Sequence, residues 1–213
     1  MRFFFAKFAV MKVYLHNHPH DVTAQELERD LALLPEWRRK AVLAYKFHID
    51  RVLSAKAYLL LAQAVDEVWG ITDALQFDLS EHGKPSLHRH PEVYFNLSHC
   101  KQGVMCVVDE HPVGCDIEGI VKDVKLDLCH YCMSDDETDR ILAASDPRVE
   151  FTRLWTMKEA VLKLTGDGLN KSMHDLLTSD LMTGINVQCI ADLEHGYCYS
   201  IATTISHRGT EEI

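Results

Sequence analysis

No apolar run in this chain approaches the roughly 18 to 20 residues that a membrane span needs, so a membrane protein is not expected. Nor does a small-residue cleavage site follow the apolar start "MRFFFAKFAVMKVYL", which Lys7 and Lys12 interrupt, and a secretory leader is not expected either. The first strand is expected from Met11, with residues 1–10 an upstream-start extension or a short extra strand. Low-complexity tracts, fixed-period repeats and Pro/Gly linkers are all missing. So is a second CxxC at zinc-finger spacing, and "CHYC" (Cys129 to Cys132) therefore reads as buried thiols rather than a structural zinc site. "HNHPH" (His16 to His20) likewise reads as a solvated turn. The seven cysteines are an odd number in a chain large enough not to need disulfides, which suits a reducing cytoplasm.

Positive charge is also scarce. Against 32 Asp and Glu stand 22 Lys and Arg, a net charge of −10. The deficit is uneven: up to Glu110 there are 13 basic and 14 acidic residues, and beyond it 9 and 18. Nucleic acid is thereby disfavoured as a main partner, because binding a phosphate backbone needs a net basic footprint. Basic residues do gather in "WRRKAVLAYK" (Trp37 to Lys46), with Arg51 and Lys56 beyond. That cluster suffices for a small polyanion.

What is present is globular in character, 47% hydrophobic and 25% charged over 213 residues. This length fits one large domain or two intimately packed small ones. After the first strand, Leu27, Leu31 and Leu34 recur at helical spacing behind a Thr23 cap. Residues 35–70 read as one long helix or a broken pair, with Pro35 at the start and Gly70 at the end. A turn is expected at 81–87 and a strand in "VYFNLSH". Two β-rich runs joined by "DEHP" within 103–120 predict a hairpin. Helices follow near 125–131, after Ser134 with its capping-box partner Glu137, and from about Pro147 to Gly166. Short antiparallel strands close the chain. The order predicts an α+β fold of two similar halves, 11–110 and 111–213.

Four short motifs carry chemistry. In "PVGCDIEG" (Pro112 to Gly119), Asp116 and Glu118 are two apart on a strand and project together, while Cys115 and Ile117 point inward. Adjacent carboxylates raise each other's pKa unless a cation lies between them, and a hard ion such as Mg²⁺ suits them. Taken alone, the fragment fits a solvated strand edge at least as well. In "WTMKEAVLK", helical spacing puts Trp155, Glu159 and Lys163 on one face; the bland reading is a Trp anchor beside an ordinary ion pair. "NLSHC" offers His99 at a strand end, where a lone histidine is more often a satisfied core residue. "GKP" (Gly83 to Pro85) is a rigid turn presenting a cation.

In this order and spacing, "GKPSL", "NLSH", "GCDIE" and "WTMKEAVLK" resemble the motif set of the 4′-phosphopantetheinyl transferases, in particular the larger, two-lobed Sfp-like class. The resemblance is strong over residues 83–163, and weaker in "MKVYLH", "PEWRRK…DRVLSAK" and "TGDGL". It implies a pseudo-dimer of two α/β halves with antiparallel sheets and an active site in the cleft between them. It implies transfer of the phosphopantetheine arm of coenzyme A to a serine of an apo acyl or peptidyl carrier protein. Carried over by position, Asp116, Glu118 and Glu159 would hold Mg²⁺ (or Mn²⁺). Glu159 would act as base, and Lys163 would contact the pyrophosphate and protonate the leaving group. His99 would bind a pyrophosphate oxygen, with Ser98 beside it. Lys84, Pro85 and Ser54 would line the adenine pocket. Lys40 and one of Arg38, Arg39 or Arg51 would hold the 3′-phosphate. Departures from the pattern fall at Trp37, Cys100, Cys132 and Met133, none of them a metal ligand. Glu137 matches a frequent family acid, which the resemblance leaves as catalytic support or simply a helix cap, and the cap is the preferred reading. A monomer is expected, since two halves supply what smaller relatives gain by oligomerising. Residues 165–170, "TGDGLN", are expected at the rim of a small carrier interface with an apolar centre. The competing readings are a noncatalytic coenzyme A or nucleotide-binding module and a metal-dependent phosphohydrolase.

Overall fold

A computed structural model describes residues 11–166 and 173–205. The expected N-terminal extension, and residues 167–170 of the expected interface rim, lie outside the described residues. The chain opens with β1 (Lys12–Asn17) and three helices, α1 (Ala24–Leu33), α2 (Glu36–Leu43) and α3 (His48–Trp69). Next come the small strands β2 (Phe77–Leu79) and β3 (Pro85–Leu87), then β4 (Tyr94–His99) and β5 (Gly103–Asp109). The second run repeats this plan with β6 (Val113–Gly119), α4 (Leu126–Cys132), α5 (Asp135–Ala143), α6 (Pro147–Thr165), β7 (Ile185–Asp192) and β8 (Tyr197–Thr204).

The expected boundaries largely hold because the local signals are strong. Thr23 and Ser134 both form capping boxes, with Glu26 and Glu137. Gly70 and Gly166 end their helices in the left-handed region, at φ 69° and 76°, where a Cβ is disfavoured. The 35–70 segment is a broken pair, interrupted at 44–47. The turn at 81–87 tightens into the β2–β3 hairpin, Leu79 pairing with Pro85.

The expected hairpin between the two runs around "DEHP" does not form. β5 is already paired on both edges, with β1 and β4, in an antiparallel sheet of order β1-β5-β4. β6 instead pairs with β8 in a second sheet, β6-β8-β7. Asp109 turns the chain by accepting from the backbone N–H groups of Glu110 and His111. Alternation along β5 explains the arrangement: Cys106 and Val108 join the core under α3, while Met105 and Val107 face the other way. There they meet Val113, Cys115 and Ile117 of β6, and Tyr197 of β8. α6 packs on the far side of the second sheet over Phe151, Leu154, Val161 and Ala202.

"HNHPH" is not a solvated turn. Its first two residues complete β1, His18 sits at φ 56° with its ring 4.9 Å from that of His195, and Pro19 is buried. All seven cysteines are free thiols, and Cys129 and Cys132 are both buried. Among the described residues, no helix is long and apolar enough to cross a membrane.

Candidate active site

Because Cys115 and Ile117 face the core between the sheets, Gly114, Asp116 and Glu118 must face the other way, toward α6. Gly114 permits the approach: a Cβ there would lie 2.1 Å from the Ala160 carbonyl oxygen and 2.4 Å from the Leu164 nitrogen. β6 therefore crosses α6 backbone to backbone, and two residues further along Asp116 meets Lys163. The Lys163 ammonium donates to Asp116 Oδ1 at 2.6 Å and to Ser98 Oγ at 2.9 Å. Ser98 Oγ in turn donates to the same Oδ1 at 2.8 Å. Asp116 is buried, and its second oxygen, Oδ2, has no hydrogen-bond partner. The solvated-edge reading of "PVGCDIEG" is thus incorrect for Asp116, as is the bland ion pair of Glu159 with Lys163.

The carboxylates strain one another electrostatically. Burial first, then Asp116, pushes Glu118 up to about 7, with Glu159 adding and Lys163 opposing. Burial and Asp116 likewise raise Glu159, again against Lys163. Among the described residues, no three His, Cys, Asp or Glu groups form a ready metal cage. The donors nevertheless fit a hard cation, because Asp116 Oδ2 is buried without a partner and two neighbouring carboxylates resist ionisation.

Two clefts flank these acids. One, of about 280 Å³, is lined by His82, Lys84, Pro85, Asn96, Glu159 and Lys163, among others. The other, of about 240 Å³, is largely apolar and runs from Glu118 to Leu128, Phe151 and Trp155. Lys84 fixes the wall of the first: its ammonium donates to the carbonyl of Leu164, at the C-terminal end of α6, at 3.0 Å. It thereby supplies a cation where helix carbonyls run out of partners. His99 ends β4, and burial lowers its pKa, as do the nearby charges of Lys163 and Arg38.

The remaining predicted contacts do not converge on the first cleft, whose described lining includes none of them. Lys40 is exposed and pairs with Glu36 at 2.7 Å. Arg39 is exposed, and Arg51 donates to the carbonyls of Tyr45 and Leu43. Ser54 is buried and accepts from Arg38, at 2.9 Å on its hydroxyl and 2.8 Å on its carbonyl. Of the basic cluster, Arg38 is the residue whose charge reaches His99.

Sequence reasoning missed Lys158, which is fully buried beside Glu159. Its ammonium bonds the Glu137 carboxylate at 2.6 Å and the carbonyls of Cys132, Met173 and His174. Glu137 is therefore more than a cap: it also neutralises the cation that ties α4, α5 and the chain after α6 together. Its one sequence signal was a lysine on the core side of an amphipathic helix.

Comparison with known proteins bears on the same elements. Residues 112–204, which begin just before β6 and end with β8, match the 4′-phosphopantetheinyl transferase superfamily. The 4′-phosphopantetheinyl transferase psf-1 of Bacillus pumilus is 35% identical over 136 residues, covering 62% of this chain and 58% of its own. The 4′-phosphopantetheinyl transferase Sfp of Bacillus subtilis is 27% identical over 163 residues, 75% of this chain and 72% of its own. The L-aminoadipate-semialdehyde dehydrogenase-phosphopantetheinyl transferase of Saccharomyces cerevisiae is 32% identical over 174 residues, 76% and 64% respectively. The strand bearing Asp116 and Glu118 and the helix bearing Glu159 and Lys163 thus fall in the region of the chain that is similar to the 4′-phosphopantetheinyl transferase superfamily.

Proposed function

We propose that this protein transfers the 4′-phosphopantetheine group of coenzyme A to a serine hydroxyl of an apo acyl or peptidyl carrier protein, releasing adenosine 3′,5′-bisphosphate. The observation that carries the reading is the meeting of Asp116 with Lys163 beside two carboxylates that resist ionisation, at the mouth of a cleft walled by Lys84 and Pro85. Residues 11–110 and 111–213 act as two similar halves of a pseudo-dimer, with the site in the cleft between them. The shared strand order of the two sheets supports this.

Asp116, Glu118 and Glu159 would hold Mg²⁺, for which Mn²⁺ can substitute. When bound, the ion offsets the negative charge of the pyrophosphate. Glu159 takes the proton of the attacking serine, as a carboxylate can once a cation keeps it ionised. The serine oxygen bonds to the phosphorus bearing the pantetheine arm, and the bond from that phosphorus to the bridging oxygen breaks. Lys163, released from Asp116, protonates that oxygen. His99 and Lys163 contact the pyrophosphate. Lys84 and Pro85 bound the adenine site, and Arg38, the member of the basic cluster whose charge reaches His99, acts on the 3′-phosphate. The apolar cleft beyond Glu118 leaves room for the pantetheine arm.

Mass spectrometry of an apo carrier protein incubated with coenzyme A and Mg²⁺ tests the proposal. A serine-linked phosphopantetheine adduct is expected, reduced at least about 100-fold by Glu159→Gln, the loss typical of a removed general base. Free phosphopantetheine without adduct would identify a phosphohydrolase, and coenzyme A binding without turnover a noncatalytic module.

A further inference from the structure

Two histidines from opposite halves of the chain meet beside Tyr197, outside the lining of the two clefts that flank the acids. His18 follows β1, and its backbone takes the left-handed conformation, φ 56° and ψ 48°. Residues other than glycine seldom take that region, and those that do gather where a site needs a particular aim. The ring of His18 lies 4.9 Å from that of His195, centre to centre, tilted by 55°.

His195 is held in place from three sides. It stands in the turn between β7 and β8, where the Asp192 carboxylate accepts from its backbone N–H at 3.0 Å and from its Nδ1 at 2.8 Å. An ionised carboxylate only accepts, so Nδ1 carries the proton and the lone pair is left on Nε2. Tyr197 stacks on the same ring at 5.9 Å, and its hydroxyl donates to Asn17, the residue before His18, at 2.9 Å. Among the described residues, no hydrogen bond from protein occupies Nε2 of His195 or either ring nitrogen of His18. A carboxylate on one imidazole nitrogen is the arrangement that orients metal-binding histidines through the other. Two imidazoles on one zinc ion, each bonded at about 2.1 Å, put their ring centres roughly 5 Å apart, which matches the separation here.

We propose that His18 and His195 form a two-imidazole site for a transition-metal ion, Zn²⁺ foremost, with Asp192 as the positioning carboxylate, so that the ion clamps the end of β1 to the β7–β8 turn. Imidazole nitrogen suits Zn²⁺, Ni²⁺ and Cu²⁺ rather than Mg²⁺. The described residues hold no cluster of three or more His, Cys, Asp or Glu groups, so the site is open and water completes the coordination. Because β1 and the β7–β8 turn belong to different sheets, the two rings are neighbours only in the folded chain, and binding stabilises the fold. The inference stands apart from the proposed Mg²⁺ site, whose ligands are hard carboxylate oxygens.

The test is calorimetric titration of the full chain, without a polyhistidine tag, with Zn²⁺ in excess Mg²⁺, beside melting with and without Zn²⁺. His18→Asn suits the left-handed backbone while removing the imidazole. It should fold as the unaltered protein does, bind Zn²⁺ at least about 10-fold more weakly, and lose the rise in melting temperature that Zn²⁺ brings. His195→Gln should do the same. Asp192→Asn should weaken Zn²⁺ about 10-fold, and Asp192→Glu, which keeps the carboxylate, should weaken it less. Unchanged Zn²⁺ affinity in His18→Asn or in His195→Gln would overturn the proposal. So would an equal loss in His130→Gln, an exposed histidine on α4, since binding would then belong to scattered surface histidines. Should His195→Gln not fold, His18→Asn alone decides. Absence of Zn²⁺ binding by the unaltered protein would also overturn it. Transfer to a carrier protein in Mg²⁺ is a separate readout, and its failure would bear on the proposed function alone.

Discussion

The residues at this site are held in states that water would not give them. Lys158 sits fully buried, yet a carboxylate and three carbonyls surround its ammonium. An unpaired charge at that depth would cost several kcal/mol, so the pair is a condition of α6 packing where it does. His99 shows the opposite strategy, with burial and neighbouring cations favouring its neutral form. Its folded pKa lies below the ordinary 6.5, so the folded protein binds its proton less readily than the unfolded chain. The stability tied to neutral His99 is therefore present above 6.5 and is lost as pH falls through the depressed value. Urea unfolding at about pH 7.5 and about pH 5.5 should show a smaller difference in stability for His99→Gln than for the unaltered protein. His16, whose pKa burial also lowers, accounts for part of the remainder. An unchanged difference would mean that His99 titrates in the fold as it does in water.

At the level of elements, the crossing of β6 over α6 decides the geometry. Strand alternation puts Gly114, Asp116 and Glu118 on one face, and helix spacing puts Ala160, Lys163 and Leu164 toward it. The glycine lets the two backbones touch. Gly114→Ala should therefore destabilise the protein by about 3 kcal/mol, the upper range for overpacking, because its new methyl meets backbone rather than a yielding side chain. Denaturant unfolding measures this directly, and a loss near zero would show that α6 can slide. Activity should fall further than stability alone explains, since any shift of α6 separates Lys163 from Asp116. The capping boxes, by contrast, act locally and were legible from spacing, because a cap needs residues only three apart.

On the scale of the molecule, two three-stranded sheets share one apolar seam of Met105, Val107, Val113, Cys115, Ile117 and Tyr197. Asn96 and Ser98 stitch it, Tyr197 donates to Asn17 at 2.9 Å, and Lys84 ties the β2–β3 hairpin to the end of α6. Neither sheet can leave without exposing this surface, so unfolding should be a single cooperative transition. Of the three tryptophans, Trp69 packs in the first core and Trp155 in the second. Variants retaining only one of these should report the same urea midpoint. Separated midpoints would show halves that unfold independently.

Periodicity, caps and turn residues are properties of near neighbours, and the sequence by itself determined most helix and strand positions and the shared face of Asp116 and Glu118. The motif set also pointed to the family. Three matters depended on contacts between distant residues, and only the tertiary structure decided them. One is that β5 and β6 part into different sheets, since both edges of β5 are taken by β1 and β4. Another is the burial of Lys158, whose four partners come from three other segments. The last is Ser98, whose bonds to Asp116 and Lys163 are not legible in "NLSH" alone. They form only because β6 lies beside β4, bringing in residues 18 and 65 positions away in the chain.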